Sequence, residues 1–173
     1  MKKLNVIVGL FLLLGICLSF IPEKTNATEI EWLTFEQAIE KSKIEPRPIF
    51  VDVYTDWCGW CKKMDRDTFQ NPKVVAYMNK QYYCIKYNAE GREDVVFPNK
   101  TYKSNGKTHD LALELLDRQM SYPSVVYMDK TFAKIQAVPG YRAPDEFLKI
   151  TKFMGEEIYK KQTWQHYDTT YVE

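Results

Sequence analysis

The sequence predicts an α/β domain with a central mixed β-sheet flanked by helices, and three observations carry that reading. Two runs rich in β-branched and aromatic residues, Ile49 to Tyr54 and about Tyr82 to Asn88, are separated by helical periodicity, as in a strand–helix–strand crossover. A second pair of such runs, Ser124 to Met128 and Ala133 to Val138, flanks the turn Asp129-Lys130-Thr131 and makes an antiparallel pair. Helical patterns before, between and after these runs supply the covering layers.

The elements follow in order. Lys2 and Lys3 precede an apolar run from Val6 to Ile21, and a short polar stretch ends at Ala27, which is the pattern of a secretory signal over residues 1–27. The run also approaches the lower length of a spanning helix, so an uncleaved anchor is the alternative. Lipid attachment at Cys17 is disfavoured because Ile16 before it is not small. Residues 28–173 then form a single domain of ordinary size. Thr34 and Gln37 make a capping box that opens a helix to about Ser42, and Pro46 and Pro48 end it. Ile49 to Tyr54 is apolar on both faces except at Asp52, as a central strand of a covered sheet is. Gly59 to about Thr68 suits a helix, Asn71-Pro72 interrupts it, and Lys73 to Asn79 resumes with Val74, Val75 and Met78 on one side.

Residues 90–120 read as an insertion. Asn105-Gly106 signals a hairpin between Thr101-Tyr102-Lys103 and Lys107-Thr108, followed by a helix from Asp110 to Arg118. Pro144 opens a last helix with Phe147, Ile150 or Thr151, Met154 and Ile158 on one face, and the tail beyond Lys161 carries Trp164, Tyr167 and Tyr171, an aromatic set suited to packing on the domain.

With 45% hydrophobic and 27% charged residues the chain can bury a substantial core, and its formal charge of +1 offers no electrostatic footprint for nucleic acid. The leader removes Cys17 and leaves Cys58, Cys61 and Cys84, too few and too uneven for a disulfide-stapled scaffold. Cys84, inside an apolar run, reads as a core filler. Zinc on Cys58, Cys61, Cys84 and His109 lacks the second close ligand pair of a structural site, so no metal is expected, and His109 reads as the cap of the helix at Asp110.

Cys58-Gly59-Trp60-Cys61 stands where a strand hands over to a helix. Two thiols at this spacing can close or open a small disulfide ring, and a helix N-terminus stabilises the first as thiolate. Cys58 is therefore placed to attack and Cys61 to resolve. Asp52 points into an apolar sheet, where an unpaired carboxylate costs several kcal/mol, so it must hold a proton or find a cation, and Lys86 is the obvious one. The bland alternative is that Asp52 caps a backbone group. Pro123, following Tyr122, sits at a strand's first residue, where a missing N–H is tolerated.

The segments Tyr54-Thr55-Asp56-Trp57-Cys58-Gly59-Trp60-Cys61-Lys62-Lys63-Met64 and Thr68-Phe69-Gln70-Asn71-Pro72-Lys73-Val74 resemble the thioredoxin superfamily, in particular the C-terminal domain of DsbD-type thiol:disulfide interchange proteins. The resemblance runs from about Ile49 to Phe153. It implies a thioredoxin fold with the insertion ahead of a cis-proline strand, and an exported or periplasmic thiol–disulfide oxidoreductase. It implies catalytic roles for Cys58, Cys61, Asp52 and Lys86, and a substrate-binding rim of Trp57, Gly59, Trp60, Tyr122 and Pro123 with a cis Tyr122–Pro123 bond. Gly59-Trp60 departs from the Gly-Pro of thioredoxins and the Gly-His of disulfide isomerases, which leaves the redox potential open. A reductase of exported protein disulfides, fed by a membrane electron donor of DsbD type, is the expected function. It needs no cofactor beyond the cysteine pair and no nucleic acid, and the chain is expected as a monomer. A disulfide isomerase or oxidase uses the same thiols, and a non-catalytic peptide-binding module would use the same groove.

Overall fold

A computed structural model describes residues 27–97 and 100–172; the expected leader and anchor, residues 1–26, lie outside the described residues. The five-stranded sheet runs in the order β1 (Trp32–Leu33), β3 (Tyr83–Asn88), β2 (Ile49–Tyr54), β6 (Ser124–Met128) and β7 (Lys134–Pro139). Strands β1 and β2 are parallel to β3, β6 runs antiparallel to β2, and β7 antiparallel to β6, so the sheet is mixed. This is the thioredoxin fold that the sequence predicts. No helix of the described residues is long and apolar enough to cross a membrane.

Alternation along β2 splits the core in two. Ile49, Val51 and Val53 face one layer with α1 (Phe35–Ile44) and α4 (Asp110–Leu115), where Phe35, Ala38, Tyr87 and Leu111 pack. Phe50 faces the other layer, among Met64, Val74, Tyr127 and Phe147 of α2 (Gly59–Asp67), α3 (Pro72–Gln81), β6 and α5 (Pro144–Gly155), and Phe69 of the turn between α2 and α3. Five rings surround Phe50 with centroids between 5.6 and 6.4 Å away, an arrangement that rewards aromatic pairs beyond simple burial. By the same alternation Asp52 points into this second layer.

The termini of the helices follow local chemistry. Thr34 and Gln37 form the expected capping box on α1, and Asn71 caps α3 with Pro72 at its first position. His109 caps α4, its Nδ1 accepting from the Leu111 amide at 3.2 Å while Nε2 lies 3.0 Å from the Glu93 carbonyl. Cys84 is a buried core thiol, as expected.

Three expectations need correction. The hairpin of the insertion lies upstream of Asn105-Gly106, between β4 (Val95–Phe97) and β5 (Lys100–Tyr102). Asn105-Gly106 does turn, with Gly106 at φ +90° and the Asn105 side chain accepting from Lys107 and Thr108, but only the bridge Ser104–His109 follows because His109 already starts α4. Helix α4 stops at Leu115 rather than Arg118, since Asp117 and Arg118 take left-handed φ values of 50° and 62° and the Arg118 amide closes on the Leu113 carbonyl. Helix α5 ends at Gly155, so Ile158 lies in a following 3₁₀ turn. The aromatic tail packs on the domain as expected, and does so as a helix: Thr163 caps α6 (Trp164–Thr170), and Phe153 meets Trp164 and Tyr167 at 5.3 and 5.1 Å.

Candidate active site

Strand β2 runs through the middle of the sheet and delivers Cys58 to the N-cap of α2. Cys58 and Cys61 are joined by a disulfide with Cα atoms 5.3 Å apart, and the Cys61 amide donates to Cys58 Sγ at 3.0 Å. The helix terminus therefore aims an N–H at the first sulfur, the contact that favours a thiolate once the bond is open. The sequence reading places this sulfur at a helix N-terminus, and there it stands. In the disulfide state the two residues are only 4% and 3% exposed, with Cys58 Sγ bonded to Cys61 on one side and met by an amide on another.

Against α2, the helix that Cys58 caps, lies a buried charge group. Lys86 of β3 sits opposite Asp52 of β2 in the ladder, and its Nζ is 2.8 Å from Asp52 Oδ2. The expected pairing is present, and a further carboxylate that the sequence reading does not single out joins it: Asp65 of α2 also bonds Lys86. The ammonium stands over the rings of Trp32, Tyr54 and Phe69 at 4.9 to 5.5 Å, so its charge is held by π-faces as well as by carboxylates. Burial raises the Asp52 carboxyl from 3.8 to about 6, against the opposing pull of Lys86. Asp52 Oδ1 is buried and has no hydrogen-bond partner among the described residues. A carboxyl of this kind can take or give a proton near neutral pH.

The rim is aromatic. Trp57 and Trp60 are 67% and 59% exposed, two of the few large apolar side chains left open to solvent. Trp57 packs edge-on against Tyr122 at 5.9 Å, which brings the Tyr122–Pro123 loop beside the cysteines, and that bond is cis as the resemblance implied. The Trp57 indole N–H donates to both oxygens of Glu90 at 3.1 Å. Trp60 packs against Tyr141 at 5.6 Å. Nothing in the sequence marks Glu90 or Tyr141, since both come from loops distant along the chain. Asp65 is more legible, four residues after Cys61 and hence on the same helical face.

The other two residues weighed for a metal site do not converge with the pair: Cys84 is in the core and both His109 nitrogens meet backbone groups.

The chain matches the family model Thioredox_DsbH, described as a protein of unknown function, DUF255, over residues 19–166. It belongs to that family. Among curated relatives of this Thioredox_DsbH chain, thiol:disulfide interchange protein DsbD of Pectobacterium atrosepticum is 31% identical over 170 residues, which is 88% of this chain and 25% of that protein. Disulfide bond reductase DsbH of Chlamydia pneumoniae is 24% identical over 119 residues, covering 66% of this chain and 67% of the relative. Spermatogenesis-associated protein 20 of Mus musculus is 33% identical over 67 residues, so this chain spans only 8% of it. The solved structure of a DsbH oxidoreductase superposes with a TM-score of 0.55 at 17% identity, over 76% of this chain and 88% of that one, which establishes the fold. The Thioredox_DsbH chain is thus a thioredoxin-superfamily protein similar to DsbD domains, and its family is one of thiol–disulfide oxidoreductase-like proteins with the Cys58–Cys61 pair at the site.

Proposed function

We propose that the chain is an exported reductase of protein disulfides. The observation that carries the reading is the Cys58–Cys61 disulfide at the N-terminus of α2, a helix whose Asp65 joins the Lys86–Asp52 pair, with the buried Asp52 carboxyl raised to about 6. The relatives printed as a disulfide bond reductase and a thiol:disulfide interchange protein support it, as does the leader-like sequence of residues 1–27.

In the reduced state the Cys58 thiolate attacks one sulfur of a substrate disulfide. A Cys58–substrate mixed disulfide forms and the first substrate thiolate leaves. Cys61 gives its proton to Asp52 and attacks Cys58 Sγ, which forms the Cys58–Cys61 bond and releases the second substrate thiolate. Two electrons pass from the dithiol to the substrate, and protons from Asp52 and solvent complete its thiols. Lys86 holds the Asp52 carboxylate in place while it is charged. Trp57, Gly59, Trp60, Tyr122 and Pro123 receive the substrate chain. A membrane donor of DsbD type returns the electrons, and no cofactor other than the cysteine pair is involved.

Reduction of insulin in the presence of a thiol reductant tests the activity, and equilibration against glutathione tests its direction. A potential near the thioredoxin end, about −270 mV, is expected, whereas one near the oxidising end, about −120 mV, would overturn the reductase assignment.

A further inference from the structure

The rim around the disulfide is divided by charge. On the Trp57 side stand Glu90, both of whose oxygens hold the indole N–H, and Asp56, which accepts from the Asn88 amide at 3.2 Å. Neither carboxylate has an ion-pair partner among the described residues, and both are exposed. Arg92, two residues beyond Glu90, lines a separate cleft against the start of α1. On the Trp60 side the cations are already bound: Lys63, which stands over the Tyr141 ring that Trp60 packs on, pairs with Asp67, and Arg142, next to Tyr141, pairs with Glu146. The carboxylates beside Trp57 are thus left for a partner to neutralise, whereas the cations beside Trp60 are not.

We infer that this asymmetry selects the substrate: the site takes flexible disulfide-bearing segments that lay apolar or aromatic side chains on Trp57 and Trp60 and carry a basic side chain toward Asp56 and Glu90. The inference rests on the reductase reading of the same site. The occupant follows from continuity and charge. Two exposed indoles adjoining the reactive bond offer stacking area at small entropic cost, and unpaired carboxylates on one flank attract a cation while repelling acidic chains. The opposite flank, whose cations Lys63 and Arg142 are already paired, offers a basic side chain no such partner, and this difference sets which way the segment lies. Exposed charge pairs act weakly and are screened over about 10 Å at 0.1 M salt, so each carboxylate changes the preference by about fivefold or less, and only at low ionic strength.

The test uses the full reduced chain and three disulfides: hydroxyethyl disulfide, which is neutral and small, and two matched peptide disulfides with a tryptophan beside the cysteine and either arginine or glutamate flanking it. Turnover of hydroxyethyl disulfide by the wild-type chain tests the reductase reading by itself, and its absence would remove both readings. With turnover established, kcat/KM should favour the arginine peptide about tenfold at low salt, and the preference should fade at high salt. Glu90→Gln keeps an acceptor for the Trp57 indole and removes the charge, so it should cut the preference about threefold while leaving Trp57 fluorescence in place; Asp56→Asn should act likewise. Glu40→Gln, on α1, serves as the control for long-range charge and should leave the ratio between peptides unaltered. Equal kcat/KM for the two peptides at low salt, or a preference that survives both Glu90→Gln and Asp56→Asn, would overturn the inference.

Discussion

Lys86 Nζ lies 2.8 Å from Asp52 Oδ2 across the β2–β3 ladder, and the same ammonium is bonded by Asp65. The cation is therefore shared between a buried carboxylate and a half-exposed one. Asp52, despite a paired lysine, keeps a carboxyl raised to about 6 because burial outweighs the attraction to Lys86, and Asp65 adds a smaller repulsion.

That shift sets a sign for stability. The folded chain holds the Asp52 proton up to about pH 6, whereas the unfolded chain releases it near 3.8. Unfolding therefore releases a proton between those values, and stability falls as pH rises through the window, by about 3 kcal/mol for a shift of about two units. The penalty is absent below about pH 4 and fully present above about 6. Asp52→Asn should unfold at higher urea than the wild-type chain at pH 7.5, with a gain of about 1–2 kcal/mol because Lys86 loses a partner, and should lose that gain at pH 4. An advantage unchanged across the window would refute the assignment.

Lys86→Met removes the attraction and the hydrogen bond that hold Asp52 down, so the Asp52 carboxyl should titrate above its present value of about 6. Carboxyl NMR of the disulfide form would read the shift. In the reduced form, the pH at which Cys61 displaces a mixed disulfide from Cys58 should move alkaline by the same amount. A titration that moves acid instead would show that Lys86 does not govern Asp52.

Cys61→Ala leaves Cys58 at the helix N-cap without a resolving thiol. It should accumulate mixed disulfides with substrate, seen by mass as adducts that a reductant releases, while Cys58→Ala accumulates none. Adducts on neither variant would count against the assigned order of attack.

Gly155, the last residue of α5, faces the Tyr82 ring so closely that an added Cβ would lie 2.7 and 2.8 Å from ring carbons. Tyr82 cannot yield easily, because its hydroxyl donates to the Thr151 carbonyl at 2.7 Å within the core. Gly155→Ala should therefore destabilise by about 1–3 kcal/mol, measurable by denaturant unfolding. Gly59, where an added Cβ would meet no atom within 4 Å, should accept alanine at far smaller cost.

Much of this fold is legible in the sequence because it rests on local signals. The bounds of β6 and the start of α5 come out as read, since a strand's composition and an N-terminal proline are properties of a few adjacent residues. The insertion defeats a local reading where two signals compete: Asn105-Gly106 turns as its chemistry demands, yet His109 captures the chain for α4 before a ladder can grow. At the site, the Cys58–Cys61 spacing and the Asp52–Lys86 pair are likewise readable. Strand β1, with only two residues, carries too little pattern to be seen.

The sequence by itself determined the α/β class, the dithiol, and the need of a buried Asp52 for a cation, because periodicity, spacing and the cost of burying charge act wherever those residues stand. Tertiary structure alone decided that Asp65 and three rings share Lys86, that Glu90 anchors Trp57, and that Tyr141 backs Trp60. Those partners lie on separate elements, and only the closing of the sheet and its loops sets the distances on which charge and ring contacts depend.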